Sequence, residues 1–86
     1  MKKLLLKQGI KIREEDFGLL VFNPSTFLIL QINRIGAQIL ELCDGKRSAS
    51  NILALLNADN KEIEESIRSF VKIAATMDII KEVDDE

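Results

Sequence analysis

The stretch Thr26 to Gly45, TFLILQINRIGAQILELCDG, changes its hydrophobic period in the middle, and that change decides the fold. From Phe27 to Ile32 the residues follow a strand, with Leu28, Leu30 and Ile32 on one face and Phe27, Ile29 and Gln31 on the other. From Asn33 onward the period is helical, placing Ile35, Ile39, Leu40, Leu42 and Cys43 on one side. A strand therefore runs into a helix with almost no loop. The helix is expected to stop at Asp44-Gly45, where glycine can take the left-handed conformation that closes a helix C-terminus. A strand apolar on both faces must be covered twice or stand open to another chain.

Working outward toward the N-terminus, Phe17 to Phe22 is a second apolar run, joined to Phe27–Ile32 through Asn23-Pro24-Ser25-Thr26, whose proline pre-sets its own φ for a turn. Before it, Ile10 and Ile12 alternate with Lys11 and Arg13, the pattern of a half-buried strand with a wet face, and Glu14-Glu15-Asp16 turns the chain. Short connections make neighbours antiparallel, so these runs form a three-stranded antiparallel sheet with Phe27–Ile32 on an edge.

Toward the C-terminus, Asp44 to Arg47 reads as a charged turn. Ser48 or Ser50 can cap a second, short helix carrying Ile52, Leu53, Leu55 and Leu56. Asp59 and Glu62 have capping-box spacing at the start of a third helix, in which Ile63, Ile67, Phe70, Val71, Ala74 and Met77 form an apolar stripe. That helix is expected to end near Asp78, followed by a short apolar segment at Ile79, Ile80 and Val83. Three strands followed by three helices make an α+β fold of winged helix-turn-helix type, one domain over residues 1–86 with residues 83–86 as a frayed tail.

Composition narrows the function. Eighty-six residues, 47% hydrophobic and 30% charged, describe a small globular chain. A net charge of −2 gives no electrostatic footprint for a phosphate backbone. One cysteine permits no internal disulfide and fits a reducing cytoplasm. The apolar run Leu4–Leu6 ends at Lys7, too short for a signal peptide, and Asn23 to Thr26 interrupt the uncharged run from Phe17 to Gln31, so neither export nor membrane anchoring is expected.

Catalytic chemistry is not expected either. The chain has no histidine, tyrosine or tryptophan, and Cys43 lies on an apolar helix face where a free thiol packs as a small hydrophobe. Ligands for zinc or an iron–sulfur cluster are lacking, and the four glycines are scattered rather than gathered into a phosphate loop. The acids at Glu14-Glu15-Asp16 read as a solvated turn, and those at Glu62, Glu64 and Glu65 as helix-dipole partners. No catalytic residue, metal or cofactor is expected.

Two binding functions follow from the fold. A winged helix suggests a DNA-binding regulator, but the third helix would meet phosphates with Glu62, Glu64 and Glu65, which argues against nucleic acid. The apolar edge suggests instead an extended peptide added as a strand at Phe27, Leu28, Ile29, Leu30, Gln31 and Ile32. Leu28, Leu30 and Ile67 would floor a groove against the third helix, with Arg68 and Lys72 as rim charges. Burial of Phe27 and Ile29 in a homodimer, or under the N-terminal segment, is the alternative for that edge, and a plain structural subunit is a third function.

The words F-G-L-L-V-F-N (Phe17–Asn23), L-Q-I-N (Leu30–Asn33) and I-L-E-L-C-D-G (Ile39–Gly45), followed by I-L-x-L-L (Ile52–Leu56), resemble in order and spacing the PqqD-like family, the RiPP recognition elements. The resemblance runs from about Ile10 to Ile80. It implies a winged-helix, non-catalytic protein that binds the leader segment of a ribosomally made precursor peptide and presents the core to a modifying enzyme. It also implies leader addition at Phe27–Ile32 and contact with the third helix at positions such as Glu64, Arg68 and Lys72. Arg13-Glu14-Glu15-Asp16-Phe17-Gly18 is similar to members that accompany radical SAM maturases, and Asn33-Arg34-x-Gly36-Ala37 to elements of lasso-peptide systems with their leader protease.

Overall fold

A computed structural model describes residues 2–84. Its elements are β1 (Lys2–Leu6), β2 (Lys11–Glu15), β3 (Gly18–Asn23), β4 (Leu28–Ile32), α1 (Arg34–Leu42), β5 (Asp44–Arg47), α2 (Ala49–Leu55), α3 (Lys61–Thr76) and β6 (Ile80–Asp84). The period change at Asn33 is a capping event. Asn33 keeps an extended backbone while its side-chain oxygen accepts the Gly36 N–H at 2.8 Å, so β4 becomes α1 within one residue.

The α+β fold and the antiparallel meander β2-β3-β4 are as the sequence predicts, with β4 at the edge. A second three-stranded sheet, of order β5-β1-β6, was not anticipated. Its strands come from the N-terminal leucine run, the supposed charged turn and the last apolar segment. Leu4 pairs with Arg47 and with Glu82, bringing together residues from both ends of the chain.

Three local expectations are corrected. The first helix ends at Leu42 with Cys43 as its cap, and Gly45, at φ +84°, serves inside β5 instead, against Leu5. The third helix is capped by Asn60, whose side chain accepts the Ile63 N–H at 2.8 Å, and not by Asp59. Val83 and Asp84, expected to fray, lie in β6 opposite Lys3 and Lys2; the remaining tail residues, 85 and 86, lie outside the described residues. Of the two serines offered as the second cap it is Ser48, in a reciprocal box with Asn51.

The helices cover one face of β2-β3-β4. Val21, Ile39, Leu40, Ile52, Ile79 and Ile80 form the fully buried centre. Buried Asn23 fixes the β3–β4 turn to the end of α3: its Nδ2 donates to the carbonyls of Met77 at 3.2 Å and Asp78 at 3.0 Å, and its Oδ1 accepts the Ser25 N–H at 3.0 Å. Each of these polar atoms would cost about 1–3 kcal/mol if left unpaired in the interior, so the turn cannot drift from the helix cheaply.

Candidate functional site

β4 pairs with β3 alone, from Leu19 opposite Ile32 to Asn23 opposite Leu28, and among the described residues no strand occupies its other side. The strand carries no charge, and its two faces differ. Leu28, Leu30 and Ile32 point the same way as Val21 and sink progressively into the core: Leu28 is 45% exposed, Leu30 half-buried and Ile32 buried. On the opposite face Ile29 is 60% exposed and Gln31 open, while Phe27, at the turn, is 79% exposed.

The end of β4 is held against α3 through α1. A Cβ added to Gly36 would stand 3.2 Å from the Ile32 Cβ and 3.2 Å from the Phe70 ring, so any side chain there would push Ile32 or Phe70 aside by a few tenths of an ångström, and glycine lets the three elements meet closely. Phe70 and Ile32 both flank Gly36, and the Met77 cap of α3 is bonded to Asn23 at the other end of the hairpin, so α3 is anchored toward both ends of β4. An apolar cleft of about 330 Å³ opens between α1 and α3, lined by Ile35, Ile39, Ile63, Ser66, Ile67 and Phe70 among others. Ile73 follows Phe70 by three positions and Ser66 by seven, so it continues the same stripe, and it is 48% exposed.

The structure brings Phe27 to Ile32 together along the edge and puts Ile67, only 4% exposed, in the cleft floor. Glu64, Arg68 and Lys72 are not part of that arrangement. Arg68 is ion-paired with Glu64 at 3.3 Å, and Arg68 and Lys72 line a separate depression beside Leu4, Ala49, Val71 and Ile80, on the flank of α3 that faces the second sheet. The stripe that borders α1 is Ile63, Ser66 and Phe70; sequence periodicity gives Ile63 and Phe70 as core positions and does not single out Ser66. Gly36 was the available signal, because a glycine inside a helix costs about 1 kcal/mol and marks a close approach.

A depression of about 550 Å³ lies between the β2–β3 hairpin and the start of α1. Two of its acids are held in surface ion pairs, Glu14 with Arg34 at 3.3 Å and Glu15 with Arg13 at 3.0 Å. Cys43 is 3% exposed and its Sγ–H donates to the Ile39 carbonyl at 3.2 Å. Burial, with the Asp44 charge adding to it, pushes this thiol up to about 11, so it stays protonated and is no nucleophile. Among the described residues no group of three or more His, Cys, Asp or Glu could hold a metal ion, and no helix is long and apolar enough to cross a membrane.

The sequence matches the family model described as coenzyme PQQ synthesis protein D (PqqD) over residues 18–80. No curated protein matches it. Among solved structures the fold is similar to that of TbiB1 in complex with the TbiA(beta) leader peptide, at 14% identity and a TM-score of 0.68, covering 94% of this chain and 99% of that one. It is likewise similar to a lasso peptide synthetase B1 complexed with its leader peptide, at 16% identity and a TM-score of 0.68, covering 92% and 98%. The heterocyclase TruD contains the same fold within a much longer chain, at 17% identity and a TM-score of 0.69, covering all of this chain and 12% of that one.

Proposed function

The chain belongs to the PqqD family, and from that premise we propose that it is a RiPP recognition element: it captures the leader of a ribosomally made precursor by strand addition at β4 and presents the core to a modifying enzyme. The observation that carries this is the β4 edge, uncharged, bonded on one side only among the described residues, and exposing Leu28 and Ile29 to water. Two proteins of similar fold, solved with leader peptides, support the same use of the fold, and its occurrence within the TruD chain supports work beside an enzyme.

The edge alone does not supply the affinity. About four to six ladder hydrogen bonds at a net ~1 kcal/mol each give ~4–6 kcal/mol, whereas micromolar binding needs about 8 kcal/mol. The cleft between α1 and α3 lies next to the end of β4 and offers the apolar burial that makes up the difference. The strand contact falls on Phe27–Ile32 and the helix contact on the Ile63, Ser66 and Phe70 stripe.

The protein performs no chemistry itself. Holding the leader raises the effective concentration of the core peptide at the enzyme, a radical SAM maturase or the protease of a lasso-peptide system. It acts as one domain in the cytoplasm, where its buried free thiol stays reduced. Calorimetric titration with the synthetic leader of the precursor encoded beside the gene tests this. A micromolar or tighter Kd is expected, and absence of any binding heat across temperatures overturns it.

A further inference from the structure

Resting on the leader-binding function above, we infer that β4 reads its peptide on both faces, selecting a segment with large apolar residues at three successive positions rather than an alternating one. A chain added to the edge sends its side chains alternately to the two faces of the sheet. Those sent inward meet Leu28 and Leu30 beside the helices. Those sent outward meet a face that the helices leave open, where Ile29 is 60% exposed and sits next to half-buried Phe22, its partner in the ladder.

Phe27 supplies an independent observation. The turn after β3 is closed by its N–H donating to the Asn23 carbonyl at 2.8 Å, which places Phe27 at φ +61°. Asparagine or glycine meets that left-handed conformation at less cost, and a bulky residue there is an outlier. The ring nevertheless stands 79% exposed, its one aromatic neighbour being Phe22 in a tilted contact at 6.5 Å between centroids. A strained backbone position thus holds an exposed aromatic on the same face as Ile29, flanking the place where an outward side chain of the added strand would lie. The next outward residue is Gln31, so the apolar requirement ends there.

The occupant is therefore the middle residue of an apolar triplet in the leader, set against Ile29 and the Phe27–Phe22 pair, with its two neighbours set against Leu28 and Leu30. Directly opposed side chains in a ladder lie about 4.5–5.5 Å apart, close enough for a β-branched or aromatic residue to cover Ile29.

A random-peptide library displayed on phage is panned against the whole protein, and enriched sequences are resynthesised for calorimetry. Enriched peptides are expected to share three consecutive large apolar residues, and serine at the middle position should raise Kd roughly tenfold. Ile29→Thr and Phe27→Asn, checked for folding by circular dichroism, should weaken the parent peptide similarly and blunt the effect of that serine. Ile29→Thr keeps a strand-forming residue and serves alone if Phe27→Asn unfolds. Alternating apolar and polar consensus sequences, or a Kd unmoved by both variants, overturn the inference while leaving leader binding intact. Variants that bind peptide normally but lose the modifying enzyme also overturn it, giving the face to the enzyme. A library that yields nothing, together with no binding heat from the leader, sinks both this inference and the function it rests on.

Discussion

The edges of the two sheets are built differently. In β5-β1-β6 the outer strands carry Asp44, Lys46 and Arg47 on one side and Lys81, Glu82 and Asp84 on the other, and β2, the far edge of the first sheet, carries Lys11, Arg13, Glu14 and Glu15. β4 has no charge at all. Charged edges resist pairing with stray strands, and an apolar edge left open invites it. Three edges are thus guarded and, among the described residues, the fourth is bare; under the function proposed above, that bare edge is where the partner chain adds.

The largest expected effect breaks that contrast at the bare edge. Ile29→Pro removes a backbone donor from β4 and should weaken leader binding roughly a hundredfold, about 2.7 kcal/mol, in a variant that circular dichroism shows to be folded. Lys46→Thr with Lys81→Thr, on the guarded edges, should leave the same calorimetric Kd unchanged.

Gly36→Val comes next. Its added methyl groups have no room between Ile32 and Phe70, and overpacking of that kind costs about 1–3 kcal/mol, read as a lowered Tm together with loss of leader binding. The guarded side has its own test in Cys43, whose folded thiol holds its proton up to about 11 against an ordinary 9.0. Since the raised value means tighter proton binding in the folded state, the stability it contributes is complete below pH 9 and lost as pH rises toward 11. Wild type should lose about 2 kcal/mol more than Cys43→Ala across that interval in denaturant titrations. The smallest effect belongs to Arg68→Glu with Lys72→Glu. These face the second sheet, so leader affinity should change by less than about twofold at physiological salt.

Much of the β4 edge was legible in the sequence because its determinants are local. Asn33 both ends the period-2 pattern and caps α1, and the Asn23–Thr26 turn sets β3 and β4 in register. The second sheet was not legible because its pairing is not local. β5 is four residues, Asp-Gly-Lys-Arg, with no apolar pattern, and it becomes a strand only when Leu4 and Leu5 arrive from the other end of the chain. The orientation of α3 was not legible for a different reason. Periodicity locates an apolar stripe centred on Ile67 but not which flank of α3 turns toward β4, and that rotation is fixed by the contact of Phe70 with Gly36. Nothing in a helical repeat distinguishes the two flanks, so Glu64, Arg68 and Lys72 could be offered as rim positions but not assigned to the flank beside α1 or the flank beside the second sheet.

Backbone amide hydrogen exchange, with and without the precursor's leader, tests strand addition most directly. Strong new protection within Leu28–Ile32, extending to the Phe70 region of α3 and leaving β5 and β6 unaltered, is the predicted result. Leader binding that leaves the β4 amides exchanging at their free rate, with protection confined to any other strand, would contradict it.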